Sequence, residues 1–436
     1  MSKRRPIAVI DGARTPMAKA FTSLMDQSAV SLGVRAIEGL LEKTKRRHND
    51  FGIDHVDEVV MGNVSGPPDA ANVARVIALK AGVPMDRVAH TVNRNCASGM
   101  ESILSTWDSI AQGRSKLAIA GGSESMSQVP LLWNSEAAVL WTRVARARSM
   151  WQKTKTLAKF RPRHFKPVIG LELGLTDPVS GLNMGETAEV LAKDFSISRQ
   201  EQDHFATESH RKASAAQKRC FLSGEIAPIR SGESEIKLDN VPRHEQSVEQ
   251  LARLNAIFKR DGTVTAGNSC PLTDGAAALL MSDIETAKEF DQPLGYITDV
   301  AVSGCDPSRM GLGPVYATAK LLRQTGYSLN DFAKIEINEA FAAQVIACLR
   351  AASSRKFAQD ELGLSKPLGE FKLERLNVHG GAIGLGHPVG MTGTRLVLTL
   401  LRTLRESGGD MGLATLCVGG GQGVAMIVRT RLENQS

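Results

Sequence analysis

Apolar residues in this chain fall into short unbroken runs that alternate with longer amphipathic stretches. Ile7–Asp11 reads as a buried strand, and Ser28–Lys43 repeats apolar residues at helical spacing. Val56–Met61 predicts a strand, followed by a loop at Gly66-Pro67-Pro68. Asn72–Ala81 predicts a helix that ends before Gly82. Thr91–Arg94 predicts a strand running into Cys96-Ala97-Ser98-Gly99, and a helix then continues to Gln112. Leu117–Ala120 predicts another buried strand, ending in Gly-Gly-Ser-Glu-Ser. Strands alternating with helices argue for a layered α/β fold.

The same grammar recurs near the C-terminus. Leu376–Val428 reads as strand, Gly-rich turn, helix, strand and second Gly-rich turn, the order already met between His90 and Ser125. His55–Gly66 likewise matches Phe332–Ala343 in position. The chain therefore predicts two copies of a unit of about 120–150 residues. The first half is expected at 1–124 plus 256–288 and the second at 289–436. An inserted loop domain, 125–255, carries a helix rich in His and Ser at Arg199–Cys220.

With 436 residues, 42% of them hydrophobic and 23% charged, there is material for a large core. No apolar run reaches the roughly 18 residues of a membrane span. Strand-like sequence begins at Ile7, which leaves no room for a signal peptide, so a cytoplasmic protein is expected. The six cysteines (96, 220, 270, 305, 348 and 417) show no metal spacing, so reduced thiols and no bound metal are expected.

The net charge of +7 is concentrated in one place: Arg143 to Lys166 holds nine Lys and Arg and no Asp or Glu. Charge confined to one tract, with only 5% aromatics, argues against nucleic-acid binding. Trp133, Trp141 and Trp151 lie in or just before the tract, and apolar residues recur there near helical spacing. A basic amphipathic helix of this kind suits an anionic membrane, a partner subunit, or a cover over the substrate tunnel that attracts phosphates; a solvated charged face is the plain alternative.

Four positions could carry chemistry. Cys96 opens a helix among small residues, where a helix N-terminus favours the thiolate; a packed core cysteine is the bland alternative. His387 sits in the turn Gly-His-Pro-Val-Gly, where it could equally be a structural donor. Cys417 ends a strand and precedes three glycines, whose N–H groups can bind an oxyanion or simply form a tight turn. Asn338 ends a strand and opens a helix, so an N-cap is its natural alternative. All four fall at equivalent strand ends of the duplicated unit, which would gather them around one pocket.

The motifs NCASG (95–99), GNSCPLTDGAA (267–277), NEAFA (338–342), GGAIGLGHPVGMTGTR (380–395) and CVGGGQG (417–423) together resemble the thiolase family, and the likeness runs from Ile7 to Val428. The insertion looks most like the thiolase subunits of fatty-acid β-oxidation trifunctional complexes. The resemblance implies a duplicated thiolase fold of five layers, α-β-α-β-α, and cleavage of 3-ketoacyl-CoA, with coenzyme A as substrate and no separate cofactor. It implies that Cys96 is the nucleophile, His387 its base and Cys417 the second acid and base. Asn338 would hold a water, and Gly419 with Cys96 would donate backbone N–H groups to an oxyanion. Arg243, Phe258, Ala266 and Gly267 match positions that contact CoA. A homodimer is implied; a hydratase/dehydrogenase subunit and a peripheral membrane contact through the basic tract are the further partners expected.

Three positions depart from the family's habit. His379 stands where Asn is common, beside the expected active site. Cys270 replaces a usual Ser. NEAF stands where trifunctional subunits often have HEAF. An acetoacetyl-CoA thiolase is the rival within the class, and a non-catalytic lipid carrier with the same fold is the rival outside it. A carrier has no use for the set Cys96, Asn338, His387 and Cys417. A β-ketoacyl synthase would pair one cysteine with two histidines, and Cys417 argues against it.

Overall fold

The computed structural model describes residues 5–232 and 234–432. Nine strands form one continuous sheet path: β1 (Ile7–Arg14), β2 (Glu58–Gly62), β3 (Val88–Val92), β4 (Leu117–Glu124), β5 (Thr273–Ser282), β6 (Gly295–Gly304), β7 (Lys334–Ile337), β8 (Met411–Val418) and β9 (Gln422–Arg429). Their spatial order is β7-β8-β9-β6-β1-β5-β4-β2-β3, with the short strand Ala18–Lys19 paired to β5. β2 is parallel to β3 and β4, β4 is antiparallel to β5, and β5 is antiparallel to β1. The other half repeats this: β7 is parallel to β8, β8 antiparallel to β9, and β9 antiparallel to β6. Where β8 turns directly into β9, the chain between β4 and β5 instead makes the long excursion that holds the insertion.

Period-two alternation sends each strand's side chains into two layers. Ile119 of β4 packs outward with Leu32 and Leu40 of helix α1 (Ala29–Arg47) and Ile77 of α2 (Val73–Lys80). Ala118 and Ala120 face inward, toward Met100 and Trp107 of α3 (Ser98–Ala111). In the second half Leu413 and Ile427 meet the outer helices, whereas Leu416 and Met426 face the middle. The middle layer is shared by both halves, which completes the five layers. Its second helix, Thr392–Ser407, is buried along most of its length, and its Arg395 is paired with buried Glu336 at 2.9 Å.

The insertion is fastened to the core electrostatically. Arg14 of β1 is fully buried and reaches Glu225 at 2.9 Å and both Asp239 oxygens at 2.7 and 2.8 Å. The helix expected at Arg199–Cys220 spans Arg199–Lys218, capped by Ser198 and Glu201.

Three local expectations are corrected. No strand forms at Leu376–His379; only an isolated bridge joins Leu376 to Ile335. Asn377 adopts a left-handed φ of 43°, and its carboxamide bonds both the N–H and the carbonyl of Ile337, replacing the ladder it interrupts. The strand expected at Thr91–Arg94 lies earlier, at Val88–Val92. The basic tract is two helices, Ser135–Arg146 and Met150–Leu157, rather than one. Extended Ala147 ends the first, and Ser149 caps the second through the Gln152 N–H.

Candidate active site

Cys96 follows β3 and precedes α3, whose first residue is Ser98 and whose N-cap is Ala97. Asn338 and Cys417 stand at the carboxyl ends of parallel β7 and β8, the end where open α/β sheets bind ligands. The Asn338 N–H donates to the Thr415 carbonyl at 3.0 Å, two residues before Cys417. Its carboxamide Nδ2 lies 3.4 Å from His387 Nε2. His387 bridges to Leu272, and its N–H donates to Thr273 Oγ1 at 3.1 Å. The Cys270 N–H donates to the Ala340 carbonyl at 3.0 Å. The Gly419 N–H lies close enough to the Cys96 sulfur to favour its negative form. Cys96, Asn338, His387, Cys417 and Gly419 therefore close a ring of neighbours, drawn from both halves.

The N-cap alternative for Asn338 is ruled out. The following helix begins at Ala342 with Phe341 at its cap, so Asn338 is free of capping and turns into the ring. Its Oδ1 is buried without a protein partner. Neighbouring Glu339 is buried and accepts from Ser209 Oγ at 2.5 Å, Asn377 Nδ2 at 2.7 Å and the Ile383 N–H at 3.2 Å. Those bonds tie the Gly-rich 380–386 segment to the end of β7 and so locate His387.

The His387 tautomer follows from its partners. Thr392 Oγ1 reaches the Pro388 carbonyl at 2.8 Å and, with its hydrogen directed there, accepts from His387 Nδ1 at 2.6 Å. Nδ1 therefore carries the proton and Nε2 keeps its lone pair, facing the Asn338 amide. Burial, and secondarily Arg395, depresses the His387 pKa to about 3, so the ring is neutral. Burial also raises the Cys96 pKa, against the lowering effect of the Gly419 and Cys96 N–H groups. The thiolate expected from the helix N-terminus is thus absent at rest: loss of solvation outweighs the dipole. The Cys417 thiol is pushed up by burial and then by the nearby sulfurs of Cys96, Cys348 and Cys270. Cys270 thus belongs to the ring's surroundings.

The remaining positions scatter. Met184 lies against Gly419, and the next residue, Gly185, packs on Phe258, which meets Phe341 edge-on at 5.9 Å. Gly267 is buried against Leu251 and Leu254, and Ala266 is exposed. Arg243 is exposed and bonds Gln246 at 2.9 Å, with no contact to the ring. His379, expected beside the active site, instead lies on Phe221 with ring centroids 3.7 Å apart and touches Arg219 and Glu406; none of these belongs to the ring. Sequence reasoning missed Thr392 and Met184. A threonine five residues after a candidate histidine, at the start of a helix, is the only signal that could have found Thr392. Among the described residues no group of three His, Cys, Asp or Glu is placed to hold a metal ion. No described helix is long and apolar enough to cross a membrane.

Residues 7–285 match the thiolase N-terminal domain and residues 291–430 the thiolase C-terminal domain. The chain belongs to the thiolase family. This thiolase is 39% identical to the 3-ketoacyl-CoA thiolase of Serratia proteamaculans, over 97% of this chain and 96% of that protein. It is also 39% identical to the 3-ketoacyl-CoA thiolase of Yersinia enterocolitica, over 97% and 96%. The human mitochondrial 3-ketoacyl-CoA thiolase solved in complex with CoA superposes with a TM-score of 0.84 at 34% identity, covering 99% of each chain. The acetyl-CoA acetyltransferase of Bacillus anthracis gives 0.83 at 33%, covering 98% of this chain and all of that one. Family and relatives make this thiolase an acyltransferase.

Proposed function

We propose that this thiolase is a 3-ketoacyl-CoA thiolase of fatty-acid β-oxidation, cleaving 3-ketoacyl-CoA with CoA into acetyl-CoA and a shortened acyl-CoA. One observation carries the reading: a neutral His387 whose Nε2 lone pair faces a ring that also holds two thiols, half-buried Cys96 and buried Cys417. His387 Nε2 takes the Cys96 proton as the sulfur attacks the 3-keto carbon. The Gly419 and Cys96 N–H groups stabilise the resulting alkoxide. The C2–C3 bond breaks, its electron pair passes to the acetyl-CoA enolate, and Cys417 protonates C2. Asn338, through a water, and His387 hold the enolate oxygen. Cys417 then takes the proton of incoming CoA, whose sulfur displaces the acyl group from Cys96, and the departing Cys96 sulfur recovers its proton from His387 Nε2. Phe258, Ala266 and Gly267 would line the approach of CoA, and Arg243 would meet its nucleotide. The test is thiolysis across short to long 3-ketoacyl-CoA chains with Cys96→Ser alongside. The serine variant should bind acyl-CoA yet lose turnover by several orders of magnitude, and near-normal turnover would sink the mechanism.

The halves 1–124 plus 256–288 and 289–436, with a covering insertion 125–255, form part of this proposal, supported by the repeated strand order. So does a homodimer. β3 is an edge strand paired only with β2, and Val88 is 61% exposed on it. For the basic tract the reading is a peripheral contact with an anionic bilayer. All nine cations are exposed, and the helix Met150–Leu157 buries no residue while Trp151 is 71% exposed. So short a helix has little stability of its own, and a covering surface would supply it. An acidic hydratase/dehydrogenase subunit is the competing occupant.

A further inference from the structure

Gly419 does two things at once. Its N–H faces the Cys96 sulfur, and its carbonyl accepts from Asn95 Nδ2 at 2.7 Å. Asn95 immediately precedes Cys96, so the nucleophile's own loop grips the residue that supplies the second oxyanion donor. Next to it, Arg94 Nη1 donates to Gln422 Oε1 at 2.8 Å, while its Nε is held by Glu101 of α3 at 2.6 Å. Two adjacent residues on one loop thus fasten both ends of the turn 419–422.

That turn needs a restraint. Its residues 419–421 are all glycine, and Gly420 and Gly421 have φ of 88° and 81°. A run of glycines has no side chains of its own to fix it. Gly421 is held from the other side by the Cys305 N–H at 2.8 Å, but that bond leaves Gly419 untouched. Asn95 also holds a left-handed φ of 44°, a conformation that Asn tolerates better than most residues. The Asn93 side chain accepts the Asn95 N–H at 2.9 Å, and Ser98 Oγ donates to the Asn95 carbonyl at 2.7 Å. The unusual backbone is thus secured on both sides and aims the carboxamide across at Gly419.

We propose that Asn95 and Arg94 are positioning residues that hold the Gly419–Gln422 turn in register with Cys96 and so set the geometry of the acyl-enzyme oxyanion hole. The proposal rests on the thiolase reading above. Neither side chain reacts; both act through Gly419. A misplacement of about 1 Å at such a donor is enough to cost ~100-fold in rate, and loss of a whole donor costs about 100- to 1,000-fold.

Asn95→Gly separates the clamp from its backbone. Glycine accepts φ near 44° more easily than Asn does, so a purely conformational role predicts full activity. The clamp predicts a fall in kcat of about 10- to 100-fold, read as slower single-turnover acylation of Cys96, with KM for the 3-ketoacyl-CoA within about threefold. Asn95→Asp keeps size and left-handed tolerance but turns a carboxylate oxygen toward the Gly419 carbonyl; it should fall as far or further. Arg94→Met should fall by a smaller factor, about 10-fold. Wild-type kcat in Asn95→Gly, or a loss that follows a lowered melting temperature with acylation unchanged, would overturn the clamp. Activity surviving in Cys96→Ser would instead overturn the thiolase reading on which it stands.

Discussion

Replacing Thr392 with valine removes one hydroxyl and leaves the side-chain shape nearly unchanged. In the wild type that hydroxyl accepts the His387 Nδ1 proton at 2.6 Å, because its own hydrogen is committed to the Pro388 carbonyl. In Thr392→Val the reactive tautomer leaves a buried N–H unpaired, which costs about 1–3 kcal/mol. The other tautomer moves the proton to Nε2, where Asn338 Oδ1, buried without a protein partner, accepts it after the carboxamide turns over. The balance therefore tips toward the form that cannot take a proton from Cys96. At about 1.4 kcal/mol per factor of ten, kcat should fall about 5- to 140-fold. KM should hardly move, since Thr392 is buried and meets His387 rather than substrate. Thr392→Ser restores the acceptor and should stay within about threefold of wild type. The assay is steady-state thiolysis with single-turnover acylation, and thermal melts confirm the fold. Full kcat in Thr392→Val would refute the tautomer argument.

Four further outcomes are expected. Cys417→Ala should block exchange of deuterium into the methyl group of acetyl-CoA, and full exchange would show that another group is the acid and base. His379 is held near a pKa of about 4 by burial and by Arg219. Its folded pKa lies below its unfolded value near 6.5, so its contribution to stability is present above pH 6.5 and is lost as pH falls toward 4. Urea melts of His379→Gln should therefore show a stability difference from wild type that changes in favour of the variant by up to about 1.4 kcal/mol per pH unit in that window; a constant difference would contradict the shift. Iodoacetamide without substrate should label exposed Cys220 before Cys96, as mapped by peptide mass, because burial raises the Cys96 thiol; the reverse order would show a standing thiolate. Replacing Arg146, Arg148, Lys153 and Lys155 together with Gln should abolish salt-sensitive binding to anionic vesicles and spare turnover of a short substrate. Unchanged vesicle binding, or binding only to a hydratase/dehydrogenase subunit, would remove the bilayer reading.

The layered fold was legible because its signals are local. Asn72 caps the helix Val73–Lys80 through the Arg75 N–H, and the fully buried runs at Ile7 and Leu117 are apolar because helices cover both faces. The placement of Cys96, Asn338, His387 and Cys417 was legible for a related reason, since each stands next to a strand end or in a small-residue turn; their roles came only from the family resemblance. What failed depended on distant partners. Asn377 sits where a strand was expected and does not extend one, because its side chain reaches Ile337, forty residues away in sequence. His379 turned out to pack on the insertion, which nothing near it in sequence announces. The Asn95–Gly419 bond joins residues separated by 324 positions, and no periodicity points to it. The break in the basic tract was in principle readable from Ser149, a good cap, but the charge run masked it.

The resting site is neutral for a single physical reason. Burial raises the Cys96 thiol and lowers His387, so each group is driven toward its uncharged form by the same loss of water. A thiolate–imidazolium pair would have to hold two charges there with few partners. The N–H groups of Gly419 and Cys96 favour a negative sulfur, yet not enough to ionise it. Those same donors gain strength when charge develops on the substrate oxygen, which is shared with no other acceptor in the ring. In the proposed mechanism, proton transfer from Cys96 to Nε2 would therefore be coupled to attack, so that negative charge passes from sulfur to an oxygen already met by its donors. Reactivity then depends on how Gly419 is aimed and which nitrogen of His387 is bare. Asn95 and Thr392 govern those two quantities, and neither has to touch the substrate to do so.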